Sequence, residues 1–113
     1  MMENNLKWEE FVKIDMRIGT IISAEVFKEV KKPAYKMIID FGDLGKLKTS
    51  AQITKLYTLE SLIGKQVIAV VNFPPKQIAN IMSECLIIGG LGVGTDVVLL
   101  QPERNMPNGT KVA

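Results

Sequence analysis

Apolar and polar residues alternate along the first half of the chain, which is typical of half-buried β-strands. After Asp15 the alternation runs for about a dozen positions, and its predicted inward side carries Met16, Ile18, Ile22, Ala24 and Val26. Gly19 interrupts this strand in the way that a bulge or a sharp bend would. We therefore predict a long, bent first strand.

Three further strands follow along the chain. YKMIIDF predicts a second strand, with its buried side formed by Tyr35, Met37, Ile39 and Phe41. The next segment, GDLG, has the glycines that supply positive φ angles in a tight turn. LKTSAQI predicts a shorter third strand. QVIAVVN is apolar throughout, which indicates a strand buried on both faces.

The remaining segments predict two small helices and two more strands. WEEFVKI has the spacing of a short helical turn, and KLYTLESL predicts a brief helix with Thr58 as its N-cap. ECLIIGG and DVVLLQP predict strands on either side of the glycine-rich turn LGVGT. The tail contains Asn-Gly, a dipeptide that favours hairpin turns.

These elements predict an all-β chain with short helices, organised as one domain over residues 1–113. A bent first strand, and a helix between the third and fourth strands, match the five-stranded Greek-key OB-fold barrel. Other compact barrels give nearly the same pattern.

The most unusual local sequence is NFPPK, where the apolar strand ends. Pro74 and Pro75 cannot donate to a strand ladder, so the strand must stop there. Asn72 then offers an amide that can contact a polar edge, and Lys76 projects from a stiff segment toward an anion. In the alternative interpretation, this segment only closes one end of the barrel.

Composition points to a packed domain in a reducing compartment. Hydrophobic residues make up 47% of the chain, yet no apolar run approaches the roughly 20 residues that a bilayer requires. The start of the sequence carries acids and no apolar signal region. The single cysteine rules out an intramolecular disulfide. We expect a cytoplasmic protein without membrane insertion.

The absence of histidine argues against an enzyme, because it removes His-dependent triads and ordinary zinc sites. Cys85 lies in an apolar run where a thiol is buried and inert. The acidic residues are spread one per segment. We therefore expect no catalytic residues, no metal and no cofactor.

Charge is unevenly distributed although the net charge is only +2. Residues 1–27 carry a net −2, residues 28–83 carry +5, and residues 84–113 carry −1. A basic middle suggests an anionic partner, since lysines near phosphates release counterions. Alternatively, these lysines only solvate the loops.

Five blocks, in order along the chain, resemble the tRNA-binding-domain family. They are DMRIGTIISAE, DFGDLG, SAQITKLYTLESLIGKQVIAVVNFPPKQIA, SECLIIGG and VVLLQPERNMPNGTKV. The resemblance covers essentially the whole chain and is greatest to stand-alone members that act as export-related chaperones. It implies an OB-fold, a homodimer, RNA or tRNA binding, and binding of unfolded or export-bound polypeptides.

Family positions transfer where the residues match. The start of the family motif matches residues 15–19, and the asparagine–proline–lysine element matches Asn72, Pro75 and Lys76. Ser83 matches the family's Ser-x-Gly-Met strand, but Cys85 and Leu86 replace its glycine and methionine. A thioether that could cover a base is therefore missing.

Two sets of site residues follow. The predicted nucleic-acid-binding residues are Lys28, Lys31, Lys32, Lys36, Asn72, Lys76 and Ser83. The predicted peptide-binding residues are Phe73, Ile78, Ile81, Met82 and Leu86. The apolar set could instead fill the core or a dimer seam. We expect an RNA-binding chaperone; the alternative is a purely peptide-binding secretion chaperone with little tRNA binding.

Overall fold

The structure is a computed structural model that describes residues 4–113. Short strands dominate it, with two one-turn α-helices and a 3₁₀ turn at Gly42–Leu44. In chain order the elements are α1 (Trp8–Phe11), β1 (Met16–Val26), β2 (Tyr35–Asp40), β3 (Lys46–Ala51), α2 (Leu59–Leu62), β4 (Gln66–Val70), β5 (Lys76–Ile78), β6 (Ile81–Ser83), β7 (Leu86–Ile87), β8 (Gly89–Leu91), β9 (Val97–Leu99) and β10 (Lys111–Val112). Among the described residues, no helix has the length and apolar character needed to cross a bilayer.

Five antiparallel strands form a nearly closed barrel in the order β3-β2-β1-β4-β7, and β10 pairs with the start of β1. The gap between β3 and β7 is bridged by individual hydrogen bonds. The Glu84 N–H donates to the Lys48 carbonyl at 2.8 Å, and Thr49 Oγ1 donates to the Cys85 carbonyl at 2.7 Å. The predicted all-β OB-fold barrel is confirmed.

Strand β1 is long and bent as predicted, but its irregularity is at a different residue. Gly19 pairs regularly with Val67, whereas the register against β2 shifts between Ile21 and Ser23. Before the bulge, Gly19 and Ile21 face the core, so Ile21 is fully buried and Ile22 is 40% exposed. The bulge then reverses the alternation, and Ala24 packs against the core. The predicted inward position of Ile22 is therefore wrong, and Val26, also predicted to be buried, is 50% exposed at the end of the strand.

Gly19 is required for close packing. A Cβ built on it would lie 2.7 Å from Ile39 Cγ2 and 2.7 Å from the Phe41 ring. These two side chains belong to the core face of β2 and its following turn, which also contains Tyr35 and Met37 as predicted. Val67 and Ala69 of β4 complete the centre of the core.

Local capping and turns agree with most of the sequence patterns. Thr58 caps α2 by accepting a hydrogen bond from the Ser61 N–H at 3.1 Å. Gly42 and Gly45 have positive φ angles, as predicted for the β2–β3 turn. The Asn108–Gly109 turn forms, but it does not join a hairpin, because β10 pairs with β1.

Candidate functional site: the loop end of the barrel

The connection from β4 to β7 begins with Asn72, whose side chain forms hydrogen bonds to a segment far away in sequence. Asn72 Oδ1 accepts the Asp15 N–H at 3.0 Å, and Asn72 Nδ2 donates to the Lys13 carbonyl at 2.7 Å. Asn72 thereby holds the segment that leads into β1. One N–H and one lone pair of its amide are left for other partners.

After the two prolines the chain forms a small hairpin that the sequence patterns did not predict. Strands β5 and β6 pair Lys76 with Ser83 and Ile78 with Ile81. Ala79 forms the turn with φ at 49°, which is unusual for a residue with a side chain. Lys76 is therefore the first residue of a strand rather than part of an extended loop.

The side chains of this hairpin lie on its two faces. Because side chains alternate along a strand, Lys76, Ile78, Ile81 and Ser83 share one side, and Met82 points to the other. Met82 is 42% exposed.

A groove of about 540 Å³, which we call the main groove, opens between the β1–β2 loop, the end of β3, the hairpin and β9. Three of these elements, the β1–β2 loop, β3 and the hairpin between the fourth and fifth barrel strands, are ones through which OB-folds bind oligonucleotides and oligosaccharides. The lining residues are Phe27, Val30, Lys31, Lys32, Ala34, Ser50, Ala51, Gln52, Ile53, Ile78, Leu86, Ile87, Val97 and Leu99. Two predicted RNA contacts, Lys31 and Lys32, thus share this groove with two predicted peptide contacts, Ile78 and Leu86.

The main groove continues into a pocket of about 270 Å³ beside the hairpin, here called the hairpin pocket. Its lining residues are Ser50, Phe73, Pro74, Lys76, Ile78, Ser83, Cys85 and Leu86. Three of them, Ser50, Ile78 and Leu86, also line the main groove. Predicted RNA-binding and peptide-binding residues therefore lie on one continuous surface.

A third cavity of about 230 Å³, the lysine cavity, lies against the outer face of β1–β3. It brings together Lys36 and Ile81 from the predicted sets with Lys48, which sequence reasoning missed. Lys48 pairs with Ile38 across β2–β3. The alternation along β2, combined with the position of the GDLG turn, could have predicted this pairing and thereby identified Lys48. Lys36 is partly neutralised by Glu25, with Nζ and Oε1 3.4 Å apart.

Three predicted residues lie outside these cavities. Lys28 is exposed on the β1–β2 loop, Asn72 lies at the base of the hairpin connection, and Met82 is on the opposite side of the hairpin from Lys76 and Ser83. The structure thus brings together Lys31, Lys32, Lys76 and Ser83, and separates Lys28, Lys36 and Asn72 from them.

The residues where the family motif changes have defined structural surroundings. The Glu84 carboxylate accepts the Lys48 N–H at 2.9 Å, so it is bonded to the edge of β3. Cys85 is buried, and desolvation raises the pKa of its thiol to about 12. The thiol is protonated at neutral pH, which agrees with the inert cysteine predicted from the sequence.

Residues 4–113 contain no group of three or more histidine, cysteine, aspartate or glutamate side chains placed to hold a metal ion. The side chains that line the main groove and the hairpin pocket offer ammonium groups, hydroxyls, an amide and apolar surface.

Comparison with known proteins gives relatives of two kinds. The chain is 34% identical over 105 residues to a methionine–tRNA ligase of Methanococcoides burtonii, a match covering 93% of this chain and 15% of the ligase. The chain therefore spans only about 15% of the length of the curated relatives that it matches. What these ligases do as whole enzymes does not follow for this chain.

Solved structures of chaperones are similar along nearly their full length. The chaperone CsaA of Bacillus anthracis superposes with a TM-score of 0.93 at 53% identity, over 96% of this chain and 99% of that one. The CsaA chaperone of Picrophilus torridus gives a TM-score of 0.89 at 50% identity, over 96% and 100% of the two chains. The predicted resemblance to stand-alone chaperones is confirmed.

The family model for a tRNA binding domain matches residues 16–111, which run from the first residue of β1 to the first residue of β10. This match includes the main groove, the hairpin pocket and every predicted site residue. The chain belongs to the tRNA binding domain family.

Proposed function

We propose that the protein is a homodimeric RNA-binding chaperone, with tRNA as its foremost RNA ligand and unfolded or export-bound polypeptides as its clients. One observation carries this proposal: lysines and exposed apolar side chains line a single groove at the loop end of an OB barrel. Ammonium groups suit phosphates, and apolar floors suit the side chains of unfolded chains.

RNA would be held mainly at the rim of this surface. Lys31 and Lys32 flank it on the β1–β2 loop, and Lys76 flanks it on the hairpin. Ser83, directly opposite Lys76, offers a hydroxyl to a base or sugar edge. Lys28, Lys36 and the free groups of Asn72 would add contacts farther along the RNA.

Polypeptide would contact the apolar part of the same surface. Phe73 is 56% exposed and Leu86 is 50% exposed, and both line the hairpin pocket. Ile78 extends the apolar surface into the main groove, while Ile81 and Met82, in strand β6 of the hairpin, would add apolar contacts beside it. Such exposed apolar side chains gain free energy when a client covers them.

A second copy of the chain would cover other apolar surface. Leu91 and Val93, at the tip of the β8–β9 hairpin, are 89% and 90% exposed. Apolar residues this exposed favour burial in a symmetric interface. We further propose a single domain over residues 1–113, a cytoplasmic location and no catalytic activity.

Sedimentation velocity with and without tRNA, at about 50 mM and about 200 mM salt, tests the RNA part. We expect a dimer that co-sediments with tRNA at the lower salt concentration and releases most of it at the higher one. A protein that never co-sediments with tRNA at the lower salt concentration would contradict RNA binding.

The second candidate function is that of a peptide-binding secretion chaperone with little tRNA affinity. Two observations favour it: most residues lining the main groove are apolar, and Cys85 and Leu86 replace the family's glycine and methionine. It predicts that client aggregation is suppressed even at high salt, and that Phe73→Glu or Leu86→Glu abolishes this activity in a folded protein. Full activity in both folded variants would exclude the hairpin pocket as the client site.

A further inference from the structure

The main groove and the hairpin pocket have an apolar floor and a cationic rim. Phe27, Ile53 and Leu99 are buried at the floor, with at most 7% of each residue exposed. Lys31, Lys32 and Lys76 are exposed at the rim. Within the described chain, none of the residues lining these two cavities is acidic.

The charge of the rim is not balanced by the protein itself. Residues 4–113 contain three ion pairs, and none of them includes Lys31, Lys32 or Lys76. Glu84 is next to Ser83 in sequence, but its carboxylate accepts a hydrogen bond from the Lys48 N–H. By contrast, Lys36 at the lysine cavity has Glu25 as a partner. The rim thus presents three cations to whatever enters.

We propose that this surface selects polypeptide segments in which apolar side chains alternate with acidic ones. The inference rests on the proposed chaperone function and specifies its client class. In an extended chain, residues i and i+2 point to the same side. The apolar side chains can then pack on the floor, while the carboxylates between them point away from it, toward the open side of the groove where Lys31, Lys32 and Lys76 are exposed.

The same charge pattern has a consequence for export-bound clients. A secretory signal begins with a positively charged region. Such a region is repelled by three unpaired lysines, so the chaperone would bind acidic–apolar segments elsewhere in the precursor.

Fluorescence anisotropy with three labelled peptides tests this selection. The peptides share identical leucine positions and carry glutamate, glutamine or lysine at the positions between them. We expect the glutamate peptide to bind about tenfold more tightly than the lysine peptide at low salt, because each exposed ion pair contributes modestly and three act together. Added salt should reduce this ratio.

Charge reversal at the rim provides the matched variant. In Lys31→Glu/Lys32→Glu/Lys76→Glu, the order of the three peptides should invert. The control, Lys7→Glu/Lys13→Glu/Lys111→Glu, makes the same change in net charge at exposed lysines that line neither cavity, and it should keep the wild-type order. Circular dichroism establishes that both variants are folded.

The possible failures can be told apart. If all three peptides bind the wild type equally, the charge selection is wrong while the chaperone function stands. If no peptide binds at all, the chaperone function fails and the selection fails with it. If the rim variant loses tRNA binding but retains the wild-type peptide order, the rim lysines contact RNA alone and the inference is overturned.

Discussion

Lys76 lies directly opposite Ser83 across the β5–β6 hairpin, and both side chains line the hairpin pocket. The pairing places an ammonium group and a hydroxyl side by side at the edge of an apolar surface. They are seven positions apart in sequence, and the chain reverses between them at Ala79, which has an unusual positive φ. The hairpin is therefore the element that builds the polar edge of this site.

Removing the Lys76 charge should weaken RNA binding in a salt-dependent way. Each phosphate contact contributes about 0.7 to the slope of log affinity against log salt for single-stranded RNA. We expect Lys76→Ala to reduce that slope by about 0.7, measured by filter binding or anisotropy across a salt series. Lys111→Ala, at an exposed lysine outside the groove, should leave the slope unchanged. An unaltered slope in Lys76→Ala would remove this lysine from the RNA site.

Asn72 should contribute to stability through its two hydrogen bonds to the backbone. Asn72→Ala removes the contacts to the Asp15 N–H and to the Lys13 carbonyl. We expect the free energy of unfolding to fall by about 1–2 kcal/mol, since each net hydrogen bond contributes about 0.5–1.5 kcal/mol. Urea denaturation measures this loss. Asn105→Ala, at an exposed asparagine in the loop before Met106, is the control and should change stability little. Equal stabilities of the two variants would show that the two hydrogen bonds of Asn72 do not contribute to stability.

Gly19 should not tolerate a side chain. In Gly19→Ala the new methyl group would approach Ile39 and Phe41 to 2.7 Å, so the core must shift. We expect a loss of about 1–3 kcal/mol in thermal or urea unfolding, the usual range for an overpacked core. Gly90→Ala adds the same methyl group where the nearest atom outside its chain neighbours, the Val98 carbonyl oxygen, is 3.9 Å away, and stability should hold or rise. A Gly19→Ala variant as stable as wild type would mean that Ile39 and Phe41 accommodate the methyl group without a cost in stability.

The Cys85 thiol should be unreactive in the folded protein. With its pKa at about 12, against an ordinary value of 9.0, only about one thiol in 10,000 is ionised at pH 8, compared with about one in ten when unfolded. We expect a disulfide reagent to react at least about 1,000-fold more slowly with native protein than with protein in guanidinium chloride. Fast labelling of the native state would show that the barrel opens at Cys85.

The same thiol sets a direction for the dependence of stability on alkaline pH. Because the folded pKa is raised, the unfolded chain loses its proton first as the pH rises above about 9. The thiol therefore lowers the free energy of unfolding by up to about 1.4 kcal/mol per pH unit between about pH 9 and 12. Urea denaturation across this range should show a shallower decline in Cys85→Ala. Identical declines would rule out a contribution from the thiol.

Patterns that depend on neighbours along the chain were sufficient to predict much of this fold. The buried side of β2, the Thr58 cap and the glycines of the β2–β3 turn are all local features, and all are confirmed. The bulge in β1 was placed at the wrong residue because it depends on how β1 pairs with β2. Alternation alone carries no information about that register.

The candidate site was predicted less completely, for a related reason. Asn72 contacts Asp15 across 57 positions of sequence, so its structural contacts could not be read from the residues beside it. The β5–β6 hairpin has strands of only three residues, which is too short for an alternation to be recognised. Predicting the place of Lys48 in the site required the pairing register of β2 with β3, in addition to the position of its own strand.

The seam between β3 and β7 relies on a few contacts, among them Thr49 Oγ1 with the Cys85 carbonyl and Glu84 with Lys48. On the groove floor, Ile53 and Leu99 belong to the hydrophobic core, whereas the rim lysines Lys31, Lys32 and Lys76 are exposed. Substitutions at the rim can therefore accumulate with little effect on folding. Ligand preference can thus change during evolution while the barrel stays the same.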